Sequence, residues 1–251
     1  MSEGSALHTS FSEHSSGLHL VADLPLLIQQ AVDETGVARR TRESLGERFA
    51  AGVTRVVEIC LAAVALVLLS PVMLIVAIII RLDSPGPALF RQLRIGKNGH
   101  LFAFFKFRTL YADARQRFPE LYSYQYTPAE IQELQFKRED DPRVTRAGCW
   151  LRRSTLDEIP NFWNLLKGDV AIVGPRPEIP EMLQYYPPEQ MIKFSVKPGV
   201  TGLSQIKGRG RLKFQQTNAY DVEYVKQKNF WLDCKIALKT IKLVIRLDGA
   251  F

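Results

Sequence analysis

Two adjacent carboxylates, Asp157 and Glu158, sit in a stretch from Lys137 to Glu178 that also carries Arg143, Arg146, Arg152, Arg153 and Arg176. Acids gathered with that many cations suit chemistry at a phosphate. Thr155-Leu156-Asp157-Glu158 matches the capping box, which would set both acids in the first turn of a helix running on through Asn161, Phe162, Trp163 and Leu166. With Pro160 at the first helical position instead, both acids stand just ahead of the helix. In either register they lie at the positive end of the helix dipole, where a carboxylate stays ionised and a phosphate also settles. Capping boxes are common, and plain helix capping is the simpler account of this fragment taken alone.

Two neighbouring motifs favour the phosphate reading. Gly174-Pro175-Arg176-Pro177 follows the apolar strand Val170 to Val173, and two prolines clamp one arginine into a rigid loop suited to bidentate contact. The run from Lys197 to Gly210, which includes Arg209, combines glycine with cations, so its backbone can approach a phosphate closely. It is neither a Walker A loop nor a dinucleotide fingerprint.

Between Glu58 and Arg81 the chain carries no charge, and Ser70-Pro71 interrupts that run. As one straight helix, Ile59 to Ile80 would rise roughly 33 Å, enough for a bilayer of about 30 Å. Proline removes a helical hydrogen bond, and a bend at Pro71 would leave two arms too short to span. Ser70 can offer its hydroxyl to a carbonyl one turn back. Arg39, Arg40, Arg42, Arg48 and Arg55 precede the run, and Arg81, Arg91, Arg94 and Lys97 follow it, so both ends ask to face the cytoplasm. A re-entrant hairpin meets that request. A single-pass helix with a tolerated kink remains the alternative.

The 251 residues, 46% of them hydrophobic, allow one sizeable globular domain beside the membrane element. A net charge of +7 implies anionic partners without choosing among lipid headgroups, phosphorylated substrates and nucleic acid. Cys60, Cys149 and Cys234 form no CxxC pair, and His8, His14, His19 and His100 share no metal-ligand spacing. A cleavable leader is not expected, since the first basic residue is Arg39.

Four parts are expected: a flexible polar N-terminal tail over 1–48, a re-entrant membrane helix over 49–83, a catalytic domain over 84–210 and an amphipathic interfacial region over 211–251. Within the tail, Leu24 to Val32 has the pattern of a short amphipathic helix. Ser84-Pro85-Gly86-Pro87 ends the membrane helix. Ala88–Leu93 and His100–Arg108 flank Gly96-Lys97-Asn98-Gly99, a strong hairpin signal. Lys106 and Arg108 alternate there with Phe105, Phe107 and Thr109. Ala112 to Lys137 reads as helix, loop and helix. Lys235, Lys239, Lys242 and Arg246 make one stripe of a C-terminal helix, with Trp231, Leu238, Ile241 and Ile245 largely elsewhere, so that it can lie in the headgroup plane.

Taken together, the Ser-Pro-broken apolar run, DSPGPALFRQLRIGKNG, FFKFRTL, LRRSTLDEIPNFWNLLKGD, VGPRPE, VKPGVTGLSQIKGR and WLDCKIALKTIKLVIRLDGAF resemble the bacterial sugar transferase family, from about Thr54 to Phe251. Its members are monotopic polyprenyl-phosphate phosphoglycosyl transferases. The resemblance implies an α+β fold: a re-entrant membrane helix hairpin, a small cytosolic α/β catalytic domain and interfacial amphipathic helices. It implies that Asp157 attacks the sugar-linked phosphate of a nucleoside diphosphate sugar, a UDP-sugar being favoured, to form a phosphosugar-aspartyl intermediate. Polyprenyl phosphate, as undecaprenyl phosphate, then takes the phosphosugar, initiating surface glycan or exopolysaccharide synthesis. The same resemblance implies Mg2+ near Asp157 and Glu158, with Asp221 a weaker metal candidate, and Glu158 as metal ligand or acid–base group. Lys106, Arg152 and Arg176, with Lys197 and Arg209, are the expected phosphate-binding cations. Expected partners are the nucleotide sugar, the lipid carrier and membrane lipid, with no nucleic acid and a homodimer left open. The expected location is the bacterial inner membrane, with the active site on its cytoplasmic face. Lys207, Ser204 and Cys149 depart from the family's usual residues and put the donor sugar in doubt. A nucleotide-sugar diphosphatase and a non-catalytic, membrane-tethered basic binding protein are the competing readings.

Overall fold

The computed structural model describes residues 15–35, 45–135, 140–208 and 211–245. It begins with helix α1, Ser15–Thr35, which places Leu24, Ile28 and Ala31 in the main core. Their spacing of four and three residues puts them on one helical face. That face lies against the 3₁₀ helices Pro180–Tyr185 and Pro188–Ser195. The expected flexible tail over 1–48 is thus corrected for Ser15–Thr35, where the short amphipathic helix is longer than its apolar pattern suggests. Residues 1–14 and 36–44 lie outside the described residues, as do Arg39, Arg40, Arg42, Arg209 and Arg246.

Helix α2, Leu45–Asp83, runs through Pro71, and Ser70 Oγ donates to the Val67 carbonyl at 2.8 Å. Among the described residues it is the one helix long and apolar enough to cross a membrane. Most of its apolar side chains are exposed, including Val64, Val67, Leu68, Leu74, Ile75 and Leu82. Both of its halves nevertheless touch the globular part. Ala62 clusters with Phe102, Phe104, Leu165 and Val170, while Val76 and Ile80 cluster with Phe107, Leu151 and Ile159. Arg55 donates to the carbonyls of Leu165 and Leu166 at 2.8 and 2.7 Å, capping the helix they end. At the other end Arg108 donates to the carbonyls of Ser84, at 2.7 Å, and Pro85.

Strands β1, Leu89–Ile95, and β2, Leu101–Phe107, form the expected antiparallel hairpin, paired from Leu89 with Phe107 to Ile95 with Leu101. Asn98 at φ 56° and Gly99 at φ 80° supply the left-handed turn that such a connection requires. Two short helices follow, α3, Ala114–Arg117, and α4, Pro128–Glu133. Helix α5, Arg146–Ser154, leads through a 3₁₀ helix, Leu156–Asn161, into α6, Phe162–Lys167. Short strands β3, Ala171–Val173, and β4, Gly199–Thr201, pair in parallel. Gly174 and Gly199 meet so closely there that a Cβ on either would overlap the other segment's backbone. The Pro-Arg-Pro loop and the start of the Lys197 run, residues 197–202, are thereby held side by side.

Helices α7, Leu203–Gly208, α8, Phe214–Gln227, and α9, Phe230–Ile245, complete the chain. Asn218, Asp221, Tyr224 and Val225 of α8 are buried, so the expected division at residue 210 is corrected: α8 belongs to the globular core. In α9, Ile236 is buried and Thr240 bonds Thr201, while Trp231, Lys235, Leu238, Lys239, Ile241 and Lys242 face outward.

Candidate active site

Asp157 and Glu158 reach their positions by neither expected register. Thr155 takes a left-handed conformation, φ 60°, closing α5 and opening the 3₁₀ helix, and its side chain makes no cap hydrogen bond. No capping box forms, and Pro160 lies inside the 3₁₀ helix rather than at the start of α6. A β-branched residue at positive φ is strained by about 1–2 kcal/mol. The strained corner throws the acids toward β2. Lys106 Nζ there sits 2.7 Å from Glu158 Oε1 and 3.9 Å from Asp157 Oδ2. Asp157 is buried and Glu158 is partly exposed.

A pocket opens beside this pair, lined by Arg94, Lys106, Glu158, Asn161, Arg176 and Gln205 together with Phe104, Pro177, Gly199 and Val200. Three cations around one carboxylate make it an anion site. Arg94 and Lys106 both lie near the Phe104 ring, 5.7 and 5.4 Å from its centroid. Arg94 also donates to the Pro177 carbonyl at 3.0 Å, and burial lowers its pKa against the pull of Glu178. In a 3₁₀ helix side chains three apart eclipse, so Asn161 stands behind Glu158 on the same face. Asn161 is buried, and its side-chain Oδ1 has no hydrogen-bond partner among the described residues.

Of the cations expected at the site, Lys106 and Arg176 line the pocket. Arg152 flanks it: its Nε donates to Thr109 Oγ1 at 3.2 Å, its guanidinium lies 3.7 Å from Asp141, and burial lowers its pKa while Asp141 and Asp157 raise it. Lys197 is corrected: it points toward Arg55, Glu58 and Asp169, with burial and then Arg55 lowering its pKa. Arg209 lies outside the described residues. Arg108, the other member of the expected basic row, turns away to hold the end of α2.

Asp221 is likewise separate from the acid pair. Its carboxylate is buried against Lys193, Ser204 and the Arg176 amide. Among the described residues no three His, Cys, Asp or Glu side chains gather as a metal cage. Two adjacent acids at an anion pocket still fit a hard cation such as Mg2+, which takes one or two carboxylates and completes its shell with phosphate oxygens and water.

Arg94, Asn161 and Gln205 were not anticipated. For Arg94 a signal existed: the Asn-Gly turn pairs Arg94 with Phe102 and Gln92 with Phe104, so alternation sets Arg94 on the face that carries Lys106. Asn161 and Gln205 carry no such mark, being single amides in segments read for other features.

The chain matches the family model for bacterial sugar transferase over residues 49–247. It is 42% identical over 172 residues to a galactosyl transferase CpsE of Streptococcus agalactiae, covering 68% of this chain and 37% of that protein. It is 37% identical to a UDP-glucose:undecaprenyl-phosphate glucose-1-phosphate transferase of Caulobacter vibrioides, covering 78% of this chain and 71% of the relative. An exopolysaccharide production protein ExoY of Rhizobium meliloti is 32% identical, with 77% and 86% covered. The chain spans about two fifths of the length of the first relatives it matches. With a family match over most of its length, and with Glu158 and the Pro-Arg-Pro loop inside that match both lining one pocket, the chain belongs to the bacterial sugar transferase family.

Proposed function

We propose that the chain transfers a sugar 1-phosphate from a nucleoside diphosphate sugar to polyprenyl phosphate through a covalent intermediate on Asp157. The observation that carries this reading is Lys106, which joins Glu158 and Asp157 at the edge of a pocket it shares with Arg94 and Arg176. Relatives named as undecaprenyl-phosphate sugar phosphotransferases support the substrate classes. Arg94 and Arg176 bind the donor diphosphate and lower the repulsion that a carboxylate meets on approaching it. An Asp157 oxygen attacks the sugar-linked phosphorus, forming one P–O bond, while the bond to the nucleotide-side phosphate breaks and nucleoside monophosphate leaves with the electron pair. In the second step a phosphate oxygen of the lipid attacks that phosphorus, the bond to Asp157 breaks, and the carboxylate is regenerated. Asp157 and Glu158 would hold Mg2+, which when bound supplies further neutralisation of phosphate charge. Lys106, released from Glu158, moves to a phosphate oxygen.

The lipid acceptor explains α2. Phe104 and Phe107 stand about 10 Å apart along β2, whereas Ala62 and Ile80 would be separated by about 27 Å along a straight helix. That both halves of α2 cluster on this one strand favours a hairpin that enters and leaves on the same side, the cytoplasmic face of the inner membrane. Exposed Trp150 and Trp163, like the outward residues of α9, suit the same interface.

The test is incubation of the chain, in nanodiscs, with a panel of nucleotide sugars and mass analysis of the peptide that contains Asp157. A phosphosugar adduct, absent from Asp157→Asn and discharged by polyprenyl phosphate, is expected. Nucleotide release that ignores the lipid would instead make the chain a diphosphatase.

A further inference from the structure

The Pro175-Arg176-Pro177 loop faces the pocket on one side and a sealed polar network on the other. Neither proline has an N–H, so Arg176 carries the tripeptide's only backbone donor. That donor goes to Asp221 Oδ2 at 3.1 Å. The Asp221 carboxylate also accepts from Lys193 Nζ at 3.2 Å and from Ser204 Oγ at 2.8 Å, and it is fully buried. Lys193, buried as well, donates to Tyr186 Oη at 2.9 Å and Asn218 Oδ1 at 3.2 Å. The Tyr186 hydroxyl in turn lies 2.8 Å from Glu178, the residue that follows Pro177. The network therefore holds the loop at two points, the Arg176 amide and the Glu178 side chain.

A sealed ion pair adds little net stability, because desolvation offsets the attraction. Fixing a loop is a different task. Pro177 restricts Arg176 to extended backbone, so with its amide pinned the direction in which its side chain leaves the backbone is set. We propose that Asp221, held by Lys193 and Ser204, is a positioning residue for the donor: it fixes the Arg176 amide so that the guanidinium meets the diphosphate of the nucleotide sugar. This rests on the transfer reading above, and it gives Asp221 a task other than metal ligation.

The full chain in nanodiscs that contain polyprenyl phosphate provides the test. Asp221→Leu, which has no acceptor for the Arg176 amide, raises the donor KM about tenfold, the loss of roughly one bidentate contact, and leaves the acceptor KM within about twofold. In an Arg176→Ala background the same change adds nothing further to donor KM, because the two act through one contact. Asp221→Leu also strands the Lys193 cation, so Lys193→Met/Asp221→Leu is expected to recover Tm while donor KM stays high. Recovery of both together, or additive effects with Arg176→Ala, would overturn the proposal. Should Asp221→Leu not fold, Ser204→Ala keeps both charges and is expected to raise donor KM about twofold to threefold, with acceptor KM unchanged and a modest fall in Tm; an unchanged donor KM overturns it. Nucleotide-sugar affinity measured by calorimetry on these variants tests the positioning role separately. A chain that binds donor but transfers nothing would defeat the transfer reading alone.

Discussion

Two of the molecule's lysine–carboxylate contacts lie in sharply different surroundings. Lys106 meets Glu158 at 2.7 Å with both side chains near one fifth exposed, whereas Lys193 meets Asp221 at 3.2 Å with both at 1% or less. An ion pair within reach of solvent and of a pocket can exchange its partner for a substrate phosphate at small cost. A sealed pair cannot, since parting it leaves a buried charge without compensation. In the proposed transfer, the first contact belongs to the reaction and the second to the geometry that the reaction needs. The Pro-Arg-Pro loop runs between them, with Arg176 lining the pocket and its amide on Asp221.

Substitution separates the two most sharply at the reactive end. Asp157→Asn is expected to lower lipid-linked product formation on the order of 10³-fold or more with the fold intact, read by product assay and circular dichroism. Lys106→Met is expected to slow nucleoside monophosphate release about 100-fold while changing stability by about 1 kcal/mol or less, as for partly exposed pairs. The sealed lysine behaves oppositely: Lys193→Met strands Asp221 and is expected to cost about 3–5 kcal/mol of stability, seen as a lower denaturation midpoint. Equal stability losses from the two lysine variants would erase the contrast.

The reactive end was more legible in the sequence than the sealed one, and the reason is locality. The Asn98-Gly99 turn needs only its own backbone preferences, and the register it sets brings Lys106 to the site face. The apolar run of α2 announces itself by having no charge from Ile59 to Ile80. The acid pair was legible as a pair, but its register was not: the αL corner at Thr155 and the 3₁₀ turn replace the helix start that the capping pattern suggests. Asp221 shows the limit. Its partners come from Arg176, Lys193 and Ser204, three separate segments, so no spacing within one motif reveals the cluster. Pro180, Pro187 and Pro188 mark the irregular stretch that brings Lys193 there, without saying where it leads.

Helix α1 sharpens the contrast from the sealed side. Its residues Leu24 and Ile28 belong to the same buried cluster as Met191, Ile192 and Phe194, which flank Lys193 in the 3₁₀ helix Pro188–Ser195. Leu24 is fully buried. Leu24→Ala is expected to cost about 3 kcal/mol through lost burial and a cavity. Its effect on donor KM should follow that of Lys193→Met in direction, since both loosen the support behind Arg176. A Leu24→Ala protein that lost stability yet kept its donor KM would confine α1 to the core alone.

The smallest expected effect belongs to Thr155, the strained residue that aims the reactive pair. Glycine occupies the left-handed region freely, so Thr155→Gly relieves about 1–2 kcal/mol of strain and gives back about 0.4–1 kcal/mol through a more flexible unfolded chain. A net gain near 0.5 kcal/mol is expected from these opposing effects, read in chemical denaturation. Activity should move the other way, because the corner then no longer fixes the direction in which Asp157 and Glu158 leave α5. A modest fall in the rate of nucleoside monophosphate release at unchanged donor KM would tie the strain to the nucleophile rather than to binding. A glycine variant both more stable and fully active would show that Lys106 and the packing of the 3₁₀ turn hold the acids unaided.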